Sequence, residues 1–363
     1  MYDLPGLLAD ESALAELMDI VSGVSPVRQL RDAKIKLTGR CNLRCGFCRC
    51  WRTDAGDELT SVELHHVLDD LAALGCGKIH FTGGEPTLRT DLPELIAHAA
   101  RAGMRTALTS NGTLLSEKLV LELVVAGLVG ITISLDAPHA ELHDAIRGVK
   151  GTFKAAVAGI KNMRRARKAN GTRLKIRINT VLTRHNYHLY PELLSLAGEL
   201  GVDDVTPLPV DEGSSKRNRL SAWQLEEFND DIVPAANELR LKYGFGMGQE
   251  LQYPFGIVRP EMKQAASVEY ARGYYQQHLC YAPWLTTLIT WRGDVFPCCM
   301  TRDKIPPIGN VKVTSLRDIY TDAAYADFRN AFRQERLALC HRCDNYLAEN
   351  ILLNRAIADV LLH

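Results

Sequence analysis

Between residues 33 and 210 the sequence alternates short runs of β-branched and apolar residues with longer segments of helical apolar spacing. This alternation predicts βα units that share a parallel sheet, either closed as a barrel or open and doubly wound. In both folds ligands bind at the carboxyl ends of the strands, so the segments that follow strands are the places to search for chemistry. The six predicted strands are Ala33–Thr38, Lys78–Thr82, Met104–Thr109, Gly130–Leu135, Leu174–Leu182 and Asp203–Leu208.

The bulk composition limits where this protein works and what it binds. The N-terminal segment lacks the basic start of a signal peptide, and no apolar stretch reaches the ~18 residues of a membrane span, which predicts a cytoplasmic protein. Lys+Arg and Asp+Glu number 43 each, so no overall charge attracts nucleic acid or a membrane. We therefore expect neither nucleic acid nor a membrane as a partner.

Ten cysteines in a reducing compartment predict metal ligation or catalysis rather than disulfides. They form two groups, and one further cysteine stands alone at position 76. The first group is Cys41, Cys45 and Cys48, with Cys50 just beyond, and the second is Cys280, Cys298, Cys299, Cys340 and Cys343. Each group calls for an explanation.

The first group follows the first predicted strand and has the spacing Cys-x₃-Cys-x₂-Cys. Three thiolates on one loop leave one iron of a [4Fe–4S] cluster without a protein ligand, and an open metal position is a reaction site. The alternatives are three incidental buried thiols or a zinc loop that lacks a ligand. The position of the loop at a strand end favours the cluster.

This motif resembles the CxxxCxxC motif of the radical S-adenosylmethionine (SAM) family, and Gly83-Gly84-Glu85-Pro86 after the second strand resembles that family's GGEP element. The resemblance implies a partial (β/α)6 barrel in which SAM binds the open iron and is cleaved to a 5′-deoxyadenosyl radical. It also implies an electron donor such as a flavodoxin or ferredoxin. The residues that it assigns to SAM are Phe47 near adenine, Gly83, Gly84 and Glu85 at the amino group, and Ser134, Asp136, Arg147 and Asn179 at the ribose or carboxylate.

The second group includes Cys280, Cys298, Cys340 and Cys343, enough thiols for a fully ligated cubane, while a Cys₄ zinc site is the structural alternative. The pattern resembles the twitch domain, a short form of the SPASM domain, and implies one auxiliary [4Fe–4S] cluster. Cys298 is preferred to Cys299 as the ligand because it fits the spacing from Gly293. Cys299 and Cys50 are then candidate catalytic thiols, although a packing role is open for both.

The length of 363 residues predicts two units with a connection. We expect an N-terminal helical extension over 1–32, the barrel over 33–210, a connecting or substrate segment over 211–279 and a small α+β auxiliary-cluster domain over 280–363. The short extension counts against a built-in domain that reads a peptide leader.

Resemblance to twitch-type enzymes favours a small sugar-like or cyclitol-like natural-product intermediate as substrate, dehydrogenated or epimerised at a hydroxyl-bearing carbon. The auxiliary cluster then accepts or relays an electron. One alternative is modification of a ribosomal peptide, and a non-enzyme alternative is an iron–sulfur electron carrier.

Overall fold

The computed structural model describes residues 4–211 and 215–361, which include one mixed sheet of nine strands in the order β6-β5-β4-β3-β2-β1-β7-β8-β9. Strands β1 to β6 are parallel neighbours in chain order, which is the partial barrel expected from the sequence. All six predicted strands are present, with ends within two residues of the prediction. The strands are β1 (Asp32–Lys36), β2 (Lys78–Thr82), β3 (Arg105–Ser110), β4 (Leu128–Ser134), β5 (Lys175–Leu182), β6 (Asp204–Pro209), β7 (Thr286–Ile289), β8 (Asp294–Phe296) and β9 (Gly309–Asn310).

Helices cover the outer face of the barrel, because alternate strand residues are apolar. Ala33 and Ile35 of β1 are buried in the main hydrophobic core, whereas Lys34 and Lys36 alternate with them and face the lumen. The helices are α1 (Leu4–Leu8), α2 (Glu11–Ser22), α3 (Ser61–Ala73), α4 (Leu92–Arg101), α5 (Glu117–Val125), α6 (Ala140–Arg147), α7 (Thr152–Ala169), α8 (Tyr190–Leu200), α9 (Ala222–Glu227), α10 (Val233–Tyr243), α11 (Gln249–Gln252), α12 (Arg259–Ala266), α13 (Tyr274–Gln277), α14 (Ala282–Leu285), α15 (Leu316–Thr321), α16 (Ala323–Gln334) and α17 (Leu347–Leu361).

The C-terminal strands continue the barrel sheet instead of forming a sheet of their own. Strand β7 pairs with β1 in parallel, and the buried Asp32 carboxylate accepts a hydrogen bond from the Thr286 hydroxyl at 2.6 Å. Strands β8 and β9 then add in antiparallel fashion. The C-terminal cysteines lie in a second core that also contains α1, α2 and α17. The auxiliary α+β region is therefore joined to the barrel through the first strand.

The apolar spacing of the sequence predicts one helix over Leu225–Tyr243 and another from Ser315 to about Phe332, and both differ in the structure. The helix expected from Ser315 to Phe332 is broken at Asp322, whose extended backbone (φ −70°, ψ 161°) separates α15 from α16. The helix expected over Leu225–Tyr243 is present, but residues 228–232 form a π turn between α9 and α10. A π turn adds one residue to a helical turn, and the regular apolar spacing of the sequence does not show this extra residue.

None of the helices in the two described ranges has both the length and the apolar character needed to cross a bilayer. The boundaries proposed for the four segments stay predictions. Residues 212–214, within the connecting segment, and the terminal residues 1–3 and 362–363 lie outside the described residues.

Candidate active site between two cysteine centres

The loop that carries Cys41, Cys45 and Cys48 directly follows β1, and all three thiols are free. Its backbone is fastened to the end of α6: the Arg44 N–H donates to the carbonyl of Arg147 at 3.0 Å, and the Gly46 N–H donates to that of Ile146 at 3.2 Å. These hydrogen bonds hold a loop without regular secondary structure in one shape, as a cluster-binding loop requires.

The Gly83-Gly84-Glu85-Pro86 turn packs directly onto this loop. The Gly84 N–H donates to the Thr38 carbonyl at 2.8 Å, and the Glu85 N–H donates to the Arg40 carbonyl at 2.8 Å. A Cβ at Gly84 would lie 2.1 Å from the Arg40 carbonyl oxygen, a backbone atom that cannot rotate away. Glycine at this position is therefore required for the two motifs to meet.

Replacing Gly84 by alanine is expected to lower the free energy of unfolding by roughly 3 kcal/mol, because the new methyl group forces the two loops apart. The change should be measured by denaturant unfolding of anaerobically prepared protein. Gly46→Ala is the matched control, since a Cβ there meets nothing within 4 Å. Equal stabilities of the two variants would contradict the close approach seen here.

The Glu85 carboxylate is buried and engaged by the protein. Its Oε1 accepts from the Thr87 N–H at 3.1 Å, the Thr87 hydroxyl at 2.6 Å and the Ser110 hydroxyl at 2.7 Å, and its Oε2 accepts from the Asn111 N–H at 2.7 Å. Burial raises the pKa of Glu85, while these donors oppose that shift. The carboxylate thus ties the turn to the end of β3, and only Oε2 has capacity for a further donor such as an ammonium group.

Asp136 and Arg147 form a buried ion pair at 2.7 Å. The Asp136 side chain has no exposed surface, and its Oδ1 accepts from the Val181 N–H at 3.0 Å, so a direct contact of Asp136 with SAM is without support in this arrangement. The same guanidinium points its Nη1 at the Cys45 sulfur, 3.7 Å away. Burial raises the pKa of Cys45, and the Arg147 charge opposes that shift. Arg147 therefore brings positive charge to the first cysteine loop.

Arg147→Met is expected to cost about 3–5 kcal/mol of unfolding free energy, because it leaves the Asp136 carboxylate buried without its partner. Arg165→Met is the control, since Arg165 pairs with Glu117 at 2.6 Å while both side chains are largely exposed. That exposed pair should contribute less than about 1 kcal/mol. Chemical denaturation of both variants measures the difference, and similar losses would show that the buried pair is not what stabilises this end of the barrel.

Two of the residues assigned to SAM, Ser134 and Asn179, face the lumen with free hydrogen-bonding capacity. Ser134 and Asn179 are direct neighbours in the β4–β5 register, and both are half-buried on the inner face of the sheet. Neither side chain hydrogen-bonds to another of the described residues. Phe47 lies near Arg147, with the guanidinium carbon 6.0 Å from the ring centroid. Their roles toward SAM stay predictions.

The C-terminal cysteines surround a small apolar cavity of about 20 Å³. Cys280, Cys298, Cys340 and Cys343 line it, and these are the four predicted ligands of the second cluster. No three His, Cys, Asp or Glu side chains within 4–211 and 215–361 converge closely enough to bind one metal ion. Zinc needs four sulfurs at about 2.3 Å from one point, whereas a cubane spreads its thiolates around a larger body. The four thiols around this cavity match the ligand count of a fully ligated cubane.

Asn350 supports this cavity and was not recognised from the sequence. Its side-chain Nδ2 donates to the Cys280 sulfur at 3.4 Å and to the Tyr346 carbonyl at 2.8 Å, while its Oδ1 accepts from the Tyr281 N–H at 2.8 Å. Hydrogen bonds to ligating sulfurs tune the reduction potential of iron–sulfur clusters. No local motif marks Asn350, because it lies on α17, seventy residues from Cys280 along the chain.

The two thiols proposed as catalytic occupy different surroundings. Cys299 does not line the cavity but packs against the same core. Cys50 lies between the two regions, where its sulfur is hydrogen-bonded to Cys48 and to Arg302, with the Lys36 ammonium nearby. These contacts lower the pKa of Cys50, with the hydrogen bond to Cys48 as the largest cause. A hydrogen-donating role for either thiol stays a prediction.

Comparison with protein-family models and curated sequences identifies both regions. The Radical SAM superfamily matches residues 35–197, and the SPASM iron–sulfur cluster-binding domain matches residues 280–344. An AdoMet-dependent heme synthase of Methanosarcina barkeri is 29% identical over 307 residues, 79% of this chain and 81% of that protein. A PqqA peptide cyclase of Xanthomonas campestris is 30% identical over 305 residues, 81% of this chain and 74% of that protein. Other curated relatives match over 40% to 55% of their own length.

Solved structures agree on the fold. Streptococcus suis SuiB bound to S-adenosylmethionine superposes with a TM-score of 0.66 at 18% identity, over 93% of this chain and 78% of that one. Native anSMEcpe with bound AdoMet and a peptide gives 0.61 at 14% identity, over 91% and 99%. The chain therefore belongs to the radical SAM superfamily, as an enzyme that uses S-adenosylmethionine and [4Fe–4S] clusters and carries a C-terminal SPASM domain.

Proposed function

We propose that this enzyme modifies a residue of a peptide by abstracting a hydrogen atom from it, with a net two-electron oxidation of that peptide substrate. The observation that carries the proposal is the 30% identity to a PqqA peptide cyclase across 81% of this chain and 74% of that protein. The relatives favour this alternative over the sugar-like or cyclitol-like substrate expected from the sequence.

When bound, SAM and its cluster supply the 5′-deoxyadenosyl radical, and the auxiliary cluster supplies an acceptor for the electron that the product radical loses. In the proposed site Cys41, Cys45 and Cys48 hold the first cluster, and Arg147 places a positive charge beside Cys45. Glu85 ties the glycine turn to the end of β3. Cys280, Cys298, Cys340 and Cys343 hold the second cluster in an apolar cavity, away from water.

The substrate is proposed to bind in the barrel lumen between the two centres. Lys36 interacts electrostatically with Cys48 and Cys50 of the first loop. Burial raises the pKa of Asp344 to about 6, and Lys34, two residues before Lys36 and about 7 Å away along the strand, lies close enough to oppose that shift. Because Asp344 directly follows Cys343, the lumen-facing side of β1 extends from the first cysteine loop towards the second group of cysteines. A substrate on this face would be within reach of both.

A second candidate is heme synthesis, because the heme synthase relative matches 81% of its own length at 29% identity. The lumen-facing positions of β1, β2 and β3 are partly polar and favour a substrate with polar groups in this part of the barrel lumen. They include Lys34, Lys36, His80 and Thr109. A tetrapyrrole needs a broad apolar surface for its ring, whereas an extended peptide does not.

Deuterium transfer separates the two candidates. Anaerobically reconstituted enzyme with reductant and SAM should be incubated with fully deuterated short peptides encoded beside its gene, and separately with Fe-coproporphyrin III or deuterated polyols. Deuterium in 5′-deoxyadenosine from a peptide, with a peptide product two hydrogens lighter, is the expected result. Transfer from a polyol, or conversion of the porphyrin while no peptide reacts, would overturn the peptide proposal.

A further inference from the structure

The side-chain amide of Asn350 is fully buried beside Cys280, and its partners distinguish its oxygen from its nitrogen. The Tyr281 N–H donates to its Oδ1 at 2.8 Å, and its Nδ2 donates to the Tyr346 carbonyl at 2.8 Å. A flipped amide would lose both hydrogen bonds, because it would place donor against donor and acceptor against acceptor. The atom that lies 3.4 Å from the Cys280 sulfur is therefore the donor end of the amide.

Tyr275 brings a second donor to the same sulfur. Its hydroxyl oxygen accepts from the Nδ2 of Asn350 at 3.1 Å, which leaves the hydroxyl proton available to another acceptor. The Cys280 sulfur is a hydrogen-bonding partner of this hydroxyl, and both residues line the cavity of the C-terminal cysteines. Tyr275 is 2% exposed and Cys280 is 6% exposed, so these hydrogen bonds lie away from bulk water. One ligand sulfur thus meets an amide donor and a phenol donor.

These donors act on the charge of the sulfur that would ligate the cluster. A cubane held by four thiolates is an anion, and an added electron increases the negative charge on its sulfurs. Hydrogen bonds to the sulfurs therefore stabilise the reduced cluster more than the oxidised one, and burial strengthens this effect because water does not screen it. The surroundings of Cys280 make the second centre a better electron acceptor.

We propose that Asn350 and Tyr275 are positioning residues that act through the Cys280 sulfur and raise the reduction potential of the auxiliary cluster, so that it takes an electron from the substrate radical. This role rests on the proposed function. Transfer of one hydrogen atom to the 5′-deoxyadenosyl radical leaves a peptide radical. That radical loses one electron to the oxidised cluster and one proton to water, which gives a product two hydrogens lighter. The electron then leaves the reduced cluster for a carrier of the flavodoxin or ferredoxin type.

The test is an anaerobic redox titration of the holoenzyme with both clusters, followed by low-temperature EPR. The first cluster is assigned as the one whose signal changes when SAM is added. In Asn350→Leu and in Tyr275→Phe we expect the equilibrium for reduction of the auxiliary cluster to be at least tenfold less favourable, which for one electron is a shift of about 59 mV to lower potential. Pulsed EPR in D₂O should show exchangeable deuterons beside the reduced auxiliary cluster, with weaker couplings in each variant.

Asn354→Leu is the matched control, because Asn354 lies one turn further along α17 and has partners of the same kinds. Its Oδ1 accepts from the Tyr281 hydroxyl at 3.0 Å, and its Nδ2 donates to the Asn350 carbonyl and to the Tyr274 hydroxyl, each at 2.8 Å. Within the described residues none of its hydrogen bonds reaches a sulfur. We expect this variant to lose thermal stability as Asn350→Leu does, and to keep the potential of the auxiliary cluster.

An unchanged potential in Asn350→Leu and Tyr275→Phe, or an equal shift in Asn354→Leu, would overturn the tuning role. So would zinc in place of iron at the second centre. If Asn350→Leu does not fold, Tyr275→Phe decides, because it keeps the ring and removes only the hydroxyl. The potential is measured without substrate, so a lowered potential in an enzyme that oxidises no peptide would support the tuning role and overturn the peptide function. Peptide oxidation with unchanged potentials would do the reverse.

Discussion

Changing Cys41, Cys45 and Cys48 together to alanine is expected to lower the iron content of reconstituted protein from about eight to about four per chain and to abolish reductive cleavage of SAM. The three thiols share one loop that is fastened at both ends to the barrel, to the end of α6 and to the glycine turn. Without them no iron remains to which SAM can bind.

The auxiliary centre should survive this change, because the two sets of cysteines belong to different cores. Cys280, Cys340 and Cys343 are buried in the C-terminal cluster of apolar side chains, whereas the loop from Cys41 to Cys48 lies at the strand ends of the barrel. Iron and sulfide assays, low-temperature EPR and 5′-deoxyadenosine formation should be measured on the same samples.

A different metal content would contradict the prediction of two clusters. About four irons in the unchanged protein that fall to none, together with one retained zinc, would make the C-terminal cysteines a structural zinc site. Electron transfer to an auxiliary cluster would then be excluded, and redox-neutral chemistry on the substrate would replace the proposed oxidation. Cys76→Ala serves as the control for cysteine removal, since Cys76 is buried apart from both centres beside Lys78.

The barrel and the cysteine chemistry were predictable because they depend on local patterns. Apolar residues at every second position define β1, and the spacing of Cys41, Cys45 and Cys48 is visible in eight consecutive residues. The radical SAM family and the SPASM domain follow from such motifs, and the comparisons confirm both. The first motif is short enough for one loop to supply it, whereas the SPASM cysteines span residues 280 to 343 and are recognised by their spacing.

What the sequence did not reveal depends on long-range pairing. In the sequence, Asp136 resembles a strand-end residue that binds a ligand. In the structure, its carboxylate forms an ion pair with Arg147 at the end of α6. The pairing of β7 with β1 joins residues more than 250 positions apart, and no periodicity reports which edge of a sheet stays open.

The adjacent thiols of Cys298 and Cys299 give the second decisive prediction. Cys298→Ala is expected to remove about four of eight irons, while Cys299→Ala keeps about eight, because only Cys298 lines the cavity with Cys280, Cys340 and Cys343. A turn orients the first thiol: the Thr301 hydroxyl donates to the Cys298 carbonyl at 2.8 Å, and its oxygen lies 3.9 Å from the Cys298 sulfur.

In this turn Cys298 lines the cavity and Cys299 does not, so the two thiols have different surroundings. The two variants differ by a single position and remove the same volume, which makes each the control for the other. The iron content and the thermal melting temperature should be measured for both variants. Loss of iron in Cys299→Ala alone would show that Cys299, and not Cys298, is the cluster ligand. In that case Cys298 becomes the free thiol, and the candidate hydrogen donor of an epimerisation moves to the cavity side of the turn.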